Sequence, residues 1–143
     1  METSAVKPEP NRRMNTLLVV LIVGAVALLA RMLHRIRTSV SPRAAAQAVL
    51  DGKAVLVDVR EPSEWAGGVA SLAHLLPLSD LRGTRERWAP FLVENRGKTI
   101  LVYCQSGMRS GMVATLLRTE GFNSGNVGAF HNWRASGLPV RAP

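Results

Sequence analysis

A chain of 143 residues, 47% of them apolar, is long enough for one globular domain and too apolar for a disordered segment. The formal charge of +8 divides equally between residues 1–37 and the much longer remainder, so basic residues are densest near the N-terminus. No aromatic side chains alternate with these basic residues, which argues against a nucleic-acid-binding surface. We therefore expect no nucleic-acid partner.

The cysteine and histidine content excludes two further classes of site. Cys104 is the only cysteine, which rules out an intramolecular disulfide framework and a Cys-rich zinc site. The three histidines, His34, His74 and His131, lie far apart, without the spacing of metal ligands. The sequence predicts neither a metal nor a cofactor.

The first element is an apolar N-terminal segment. Residues 16–30, TLLVVLIVGAVALLA, carry no charge. A helix over 16–33 would rise about 27 Å, close to the roughly 30 Å hydrocarbon core of a membrane. The pattern therefore predicts a transmembrane helix at 16–33, after an N-terminal tail at 1–15 and before a juxtamembrane linker at 34–40. Since the segment is apolar on all faces, a buried core helix is disfavoured.

A cleavable signal peptide is the alternative for this segment. Arg12 and Arg13 precede the apolar run, and Ala25-Val26-Ala27 resembles a cleavage site. For a single-pass membrane protein, four basic residues after the segment against three before it favour a cytoplasmic soluble domain. Cleavage would instead give a periplasmic or secreted domain.

The soluble part opens with a helix and a strand. Ser41 is a suitable N-cap, Pro42 fits the first helical position, and Gly52 lies just past the predicted helix end. The apolar, β-branched run at 54–60 predicts a buried strand.

Alternation of strands and helices continues to the C-terminal part. A short helical turn is expected within 61–68, a helix over 78–88, a second strand over 98–103 and a helix over 110–120. This order indicates an α/β fold with a mainly parallel sheet. In such folds, ligands bind beyond the carboxyl ends of the strands.

One such strand end carries the cysteine. Cys104 follows the second strand and Ser110 begins the next helix, so residues 104–109 form a loop at a helix N-terminus. Backbone N–H groups in such a loop bind an anion, and the helix dipole and Arg109 favour a thiolate over a thiol. Gly107 permits a tight turn. A nucleophilic Cys104 is predicted, with a buried structural cysteine as the alternative.

The length of this loop separates two chemistries. Cysteine phosphatases enclose a phosphate with a loop in which five residues separate Cys from Arg. Here four residues separate Cys104 from Arg109, and Ser110 stands where a phosphatase needs its Arg. The smaller loop favours a terminal sulfur on the cysteine and disfavours a phosphatase or an arsenate reductase.

Three motifs together resemble those of single-domain rhodaneses, which are sulfurtransferases. The resemblance covers roughly residues 40–140. Its motifs are Asp58-Val59-Arg60-Glu61-Pro62 followed by Glu64-Trp65, the loop from Cys104 to Ser110, and a C-terminal set of Gly128, Trp133 and Gly137-Leu138-Pro139-Val140.

The resemblance implies a rhodanese-like domain at 41–143, with a five-stranded parallel sheet flanked by helices. It also implies a thiosulfate sulfurtransferase-like reaction through a persulfide on Cys104. Sulfur would pass from a small donor such as thiosulfate to cyanide, a thiol or a protein acceptor.

The implied roles of the other site residues follow the same family. The donor-binding residues would be Gln105, Ser106, Gly107, Met108, Arg109 and Ser110. Asp58 and Arg60 would order the neighbouring loops, and Glu61 and Glu64 are expected to be solvated turn charges.

One departure from the family pattern concerns the stretch after Gly68. Val69 stands where the family usually has His, and Leu72 stands where it has Gly, so the conformation of this stretch is not predicted. A membrane-tethered sulfur carrier or binding module that acts with a protein partner is the alternative function.

Overall fold

The computed structural model describes residues 12–37 and 40–143, with side chains at 16, 18–29 and 40–143. The chain divides into two units between His34 and Arg35. Helix α1 spans Arg12–Arg37, and the N-terminal unit, as far as it is described, is the part of α1 up to His34. Its described side chains are exposed.

The structure does not support a transmembrane helix at 16–33. Among the described residues, no helix combines the length and the apolar character needed to cross a membrane. The linker predicted at 34–40 is also helical as far as Arg37, while 38–39 and most of the predicted tail lie outside the described residues.

The C-terminal unit contains a four-stranded parallel sheet in the order β3-β1-β4-β5. A separate antiparallel pair joins β2 to β6. The strands are β1 Ala54–Asp58, β2 Val69–Ala70, β3 Ala73–Leu75, β4 Thr99–Cys104, β5 Ser124–Ala129 and β6 Val140–Arg141. The helices are α2 Pro42–Leu50, α3 Leu78–Arg82, α4 Trp88–Glu94, α5 Met108–Thr119 and α6 Phe130–Ala135, with a 3₁₀ turn at Pro62–Gly67.

The mainly parallel α/β fold is confirmed, but the expected five-stranded sheet is wrong. The stretch after Gly68 does not extend the parallel sheet. Instead, Val69 pairs with Arg141 and Ala70 with Val140 in the small antiparallel sheet. Both residues of β2 are buried, which explains why an apolar Val is accommodated at this position.

The helix expected over 78–88 is wrong beyond Arg82, because α3 ends there and a separate helix, α4, begins only at Trp88. The chain leaves α3 at Gly83, and the carboxylate of Asp80 then accepts hydrogen bonds from the backbone N–H groups of Glu86, Arg87 and Trp88 at 3.0–3.1 Å. These N–H groups at the start of α4 have no partner within the helix, so Asp80 stabilises the second helix start.

Two apolar clusters lie on opposite faces of the sheet, and alternate residues of β1 and β4 belong to one or the other. Ile100, Val102 and Cys104 of β4 face the cluster that contains α5 residues, whereas Leu101 and Tyr103 face the cluster formed with α2 and α6. Successive side chains of a strand point to opposite faces. The thiol and the Tyr103 ring therefore lie on opposite faces of the sheet.

Truncation of the buried Leu56 should destabilise the domain much more than truncation of an exposed leucine. Leu56 is 0% exposed in β1, so Leu56→Ala is expected to lower the free energy of unfolding by about 2–5 kcal/mol. Leu50→Ala makes the same change at a residue that is 69% exposed, and should change that free energy by less than about 0.5 kcal/mol. Urea unfolding of both variants measures the difference, and equal losses would contradict this description of the core.

Candidate active site

The Cys104 thiol lies at the carboxyl end of β4, enclosed by the loop that follows. Its Sγ accepts hydrogen bonds from the Gly107 backbone N–H at 3.1 Å, the Ser110 backbone N–H at 3.5 Å and the Ser110 hydroxyl at 3.4 Å. Two of these donors are backbone groups at the start of α5. The loop therefore directs positive dipoles at the sulfur.

These donors govern the protonation of the thiol. Burial by itself raises the pKa of Cys104, since a charge is poorly solvated inside the protein. Hydrogen bonds from the Ser110 hydroxyl and from the amides of Ser110, Ser106 and Gly107 act in the opposite direction and prevail. The pKa of Cys104 lies below its ordinary value, which increases the thiolate fraction near neutral pH.

Glycine is required at the turn of this loop. Gly107 has φ +89°, and a Cβ built on it would lie 3.2 Å from Cα of Gly128 in β5. Larger residues would be strained by the backbone conformation and would press on the neighbouring strand. Close packing of the two glycines brings the loop against β5.

A β-bulge in β5 supplies a polar residue at the base of the loop. Val102 pairs with Asn126 and Tyr103 with Gly128, so Val127 is the additional residue. The buried Asn126 accepts hydrogen bonds from the Ser110 hydroxyl at 2.7 Å and from the Gly128 N–H at 2.9 Å. Its side-chain NH₂ donates to the Gly107 carbonyl at 3.1 Å. Asn126 thus connects β5 to both ends of the loop turn.

Arg109 binds Glu64 rather than the sulfur. The two terminal guanidinium nitrogens donate to the two carboxylate oxygens of Glu64 at 2.7 and 2.6 Å. This hydrogen-bonded pair lowers the pKa of Glu64 to about 2 despite partial burial. Arg109 still attracts a Cys104 thiolate through its charge. Anion binding by direct contact with Arg109 would have to share the guanidinium with Glu64.

Glu61 and Glu64 are not the solvated turn charges that the sequence indicated. The Glu64 carboxylate accepts from the Glu61 backbone N–H at 2.9 Å, in addition to its pair with Arg109. The Glu61 carboxylate accepts from the backbone N–H and the hydroxyl of Ser79 at 3.0 and 2.7 Å. Both acids fix the 3₁₀ turn, Glu64 to the cysteine loop and Glu61 to α3.

Asp58 and Arg60 form a buried ion pair at the end of β1, 2.7 Å between the nearest nitrogen and oxygen. Arg60 also donates to the carbonyls of Glu64 and Gly68 at 3.1 and 2.8 Å. The Tyr103 hydroxyl donates to Asp58 at 2.6 Å, and burial together with the Asp58 charge raises the pKa of Tyr103. Through the two Arg60 bonds, this network holds the 3₁₀ turn, and its described hydrogen bonds do not include the thiol.

The predicted site residues fall into two groups. Gln105, Ser106 and Met108 are exposed on the loop, whereas Ser110 is fully buried against the sulfur. Sequence reasoning missed Asn126 and the pairing role of Glu64. An Asn between Gly125 and Val127 in a strand was the available signal, because Asn is depleted in strands.

The structure thus defines a small parallel α/β domain with a thiol held at a helix N-terminus. The family model for the rhodanese-like domain matches residues 41–136. The chain belongs to the rhodanese-like domain family.

Curated relatives give further context. The uncharacterized protein slr1261 of Synechocystis sp. is 36% identical over 105 residues, which cover 71% of this chain and 55% of that protein. The uncharacterized protein YqhL of Bacillus subtilis is 36% identical over 83 residues, covering 57% and 61%. The matches therefore span little more than half of either relative. A tRNA uridine(34) hydroxylase of Salmonella typhimurium is 30% identical over 97 residues, covering 64% of this chain and 28% of that enzyme.

Solved structures show the same fold. A rhodanese-related protein from Thermoplasma volcanium has a TM-score of 0.61 at 27% identity, covering 73% of this chain and 98% of that chain. The human single-domain sulfurtransferase TSTD1 has a TM-score of 0.57 at 25% identity, covering 68% and 96%.

Removal of the Asp58 charge should destabilise the domain strongly. Asp58→Asn leaves Arg60, which is 2% exposed, without its counter-charge, so we expect a loss of about 3–5 kcal/mol in the free energy of unfolding. Asp51→Asn is the matched control, because the Asp51 carboxylate has only exposed partners, the Lys53 ammonium at 3.8 Å and the Gln47 side-chain amide at 2.7 Å. Chemical denaturation measures both variants. Similar losses would mean that the buried pair does not stabilise the domain.

The pair between Glu64 and Arg109 predicts a pH-dependent stability. The pKa of Glu64 falls from 4.5 to about 2 on folding, so its stabilisation is fully present above pH 4.5 and is lost as pH falls towards 2. The stability gap between the parent and Glu64→Gln should therefore close over that range. Glu94→Gln, at an exposed residue, controls for the loss of one negative charge. Unfolding measured from pH 2 to 7 tests this, and a constant gap for Glu64→Gln would contradict the pairing.

Proposed function

We propose that this protein is a rhodanese-type sulfurtransferase that carries sulfane sulfur as a persulfide on Cys104. The observation that supports the proposal most is the convergence of three hydrogen-bond donors on Sγ at the start of α5. Such donors stabilise a thiolate nucleophile before transfer, and they favour negative charge in the loop afterwards. Membership of the rhodanese-like domain family agrees with this chemistry.

The proposed cycle has two displacement steps. The Cys104 thiolate attacks the outer sulfur of thiosulfate, the sulfur–sulfur bond of the donor breaks, and sulfite leaves with the bonding electron pair. The outer sulfur of the resulting persulfide carries the negative charge. A nucleophilic acceptor such as cyanide then takes that sulfur, forms thiocyanate and releases the Cys104 thiolate. No external oxidant or reductant is consumed.

Recognition of the donor would involve the exposed loop and the charge of Arg109. Gln105, Ser106 and Met108 form the exposed part of the loop above the sulfur. The positive charge of Arg109 acts through space, because both of its terminal nitrogens bind Glu64. The donor-binding role proposed for Arg109 is therefore electrostatic attraction rather than direct clamping.

A protein acceptor is the second candidate. Three apolar side chains at helical spacing on α5 are exposed: Met108 at 65%, Met112 at 48% and Leu116 at 37%. This stripe begins in the turn next to Cys104, and exposed Met residues commonly contact partner proteins. The observation favours a sulfur carrier that passes its persulfide to the thiol of a partner protein.

Substitution of Cys104 tests the proposed cycle. Incubation of the full chain with thiosulfate should add the mass of one sulfur, which cyanide then removes with formation of thiocyanate. Cys104→Ser should neither gain this mass nor form thiocyanate, and it should keep the parent's circular dichroism spectrum. Because Cys104 is the only thiol, the site of the adduct is unambiguous.

The outcomes of this experiment separate the candidates. An adduct that cyanide discharges slowly would favour the carrier. Absence of an adduct on the folded parent, or full activity in Cys104→Ser, would overturn both candidates. Efficient hydrolysis of an aryl phosphate by the parent would instead favour phosphatase chemistry, despite the short loop.

A further inference from the structure

The hydroxyl of Ser110 has two acceptors and one hydrogen. Its Oγ lies 2.7 Å from Oδ1 of Asn126 and 3.4 Å from Sγ of Cys104. Both contacts have donor geometry, but a single hydroxyl hydrogen serves only one acceptor well at a time. Since Ser110 is fully buried, water does not supply an alternative partner. The one hydroxyl hydrogen therefore has to be shared between two acceptors inside the protein.

The side-chain amide of Asn126 is fixed by two other hydrogen bonds. Its NH₂ group donates to the Gly107 carbonyl at 3.1 Å, and its Oδ1 accepts from the Gly128 N–H at 2.9 Å. A flipped amide would lose both contacts. The oxygen, not the nitrogen, consequently faces the Ser110 hydroxyl, and Asn126 acts there only as an acceptor.

We propose that Asn126 is a positioning residue that competes with Cys104 for the Ser110 hydroxyl hydrogen. With a neutral thiol, the hydroxyl donates to Asn126 and a lone pair of its oxygen faces the thiol. When Cys104 loses its proton, the hydroxyl turns to the thiolate, which is the stronger acceptor. Asn126 keeps its bond from Gly128, so neither buried group is left without a partner.

The persulfide extends this argument and rests on the proposed function. Sulfur transfer moves the negative charge from Sγ to the outer sulfur, and Sγ becomes a weak acceptor. The Ser110 hydroxyl then returns to Asn126. Without Asn126, the buried Ser110 hydroxyl would have no acceptor in the persulfide form, which destabilises that form. The thiolate form is not destabilised in this way, because its sulfur accepts from the hydroxyl. Asn126 should therefore prolong the lifetime of the persulfide.

Other charged groups near the loop do not take part in this exchange. Arg109 acts on the sulfur through its charge and is paired with Glu64. Asp58, Arg60 and Tyr103 form their own network at the adjacent strand ends. All of them are retained in the variants below, so their effects on the thiol are common to each comparison.

A double-mutant cycle tests the competition. The thiol pKa is measured from the ultraviolet absorbance of the thiolate in the full chain, in Asn126→Ala, in Ser110→Ala and in the double variant. Removal of the competing acceptor should raise the ratio of thiolate to thiol by about threefold to tenfold in the presence of Ser110, as expected for one hydrogen bond. In the Ser110→Ala background the same substitution should lack this gain.

Two outcomes would overturn the proposal. An equal effect of Asn126→Ala in both backgrounds would mean that Asn126 acts only through its bond to the Gly107 carbonyl. A Ser110-dependent fall in the thiolate ratio would mean that Asn126 holds the hydroxyl towards the sulfur rather than competing with it.

A second substitution decides the question if Asn126→Ala does not fold. Asn126→Asp preserves the shape and offers a stronger acceptor, so it should lower the thiolate ratio more in the presence of Ser110 than in Ser110→Ala. An equal decrease in both backgrounds would contradict the competition.

The readouts also separate this proposal from the proposed function. Titration of the free thiol needs no sulfur donor, so coupling between Asn126 and Ser110 supports the competition even where no persulfide forms. Where a persulfide does form, intact mass followed over time should show faster sulfur loss in Asn126→Ala than in the parent. An unchanged lifetime would overturn the persulfide part alone.

Discussion

Burial of the Arg60 guanidinium is the constraint on which the arrangement of this domain depends. A charge that is 2% exposed must find its hydrogen-bond acceptors within the protein. Asp58 provides the counter-charge, the carbonyls of Glu64 and Gly68 accept the remaining bonds, and the Phe130 ring lies 4.2 Å from the guanidinium carbon. Since two of these acceptors belong to the 3₁₀ turn and its end, the ion pair fixes the turn that carries Glu64.

The two faces of the sheet are connected through that turn. Tyr103 and Cys104 are adjacent in β4 and face opposite sides, so the Tyr103–Asp58–Arg60 network cannot act on the thiol directly. Glu64 connects this network to the cysteine loop. Its backbone carbonyl accepts a hydrogen bond from Arg60, and its carboxylate binds Arg109. The ion-pair network on the Tyr103 face of the sheet therefore helps to position the cysteine loop on the opposite face.

Local patterns in the sequence predicted the parts that depend on local physics. The Ser41 cap, the strands β1 and β4 and the loop before α5 follow from capping, apolar runs and a glycine turn. The elements that the sequence did not predict depend on contacts with residues distant in the chain. β5 is rich in Gly and is held by pairing with β4, and the separate α4 depends on the Asp80 carboxylate. Glu64 resembles any solvated acid until the fold brings Arg109 to it, which is why the sequence misassigned it.

The single thiol has a kinetic consequence. Many redox proteins clear a modified cysteine with a second, resolving cysteine of the same chain, at a rate that does not depend on concentration. Here Cys104 has no such neighbour in the sequence and is enclosed by its own loop. Under the proposed function, a sulfur atom that Cys104 accepts has no second thiol in this sequence to move to, so it leaves to another molecule that reaches the loop. Discharge is therefore second order, and the abundance of the receiving molecule sets how long Cys104 stays modified.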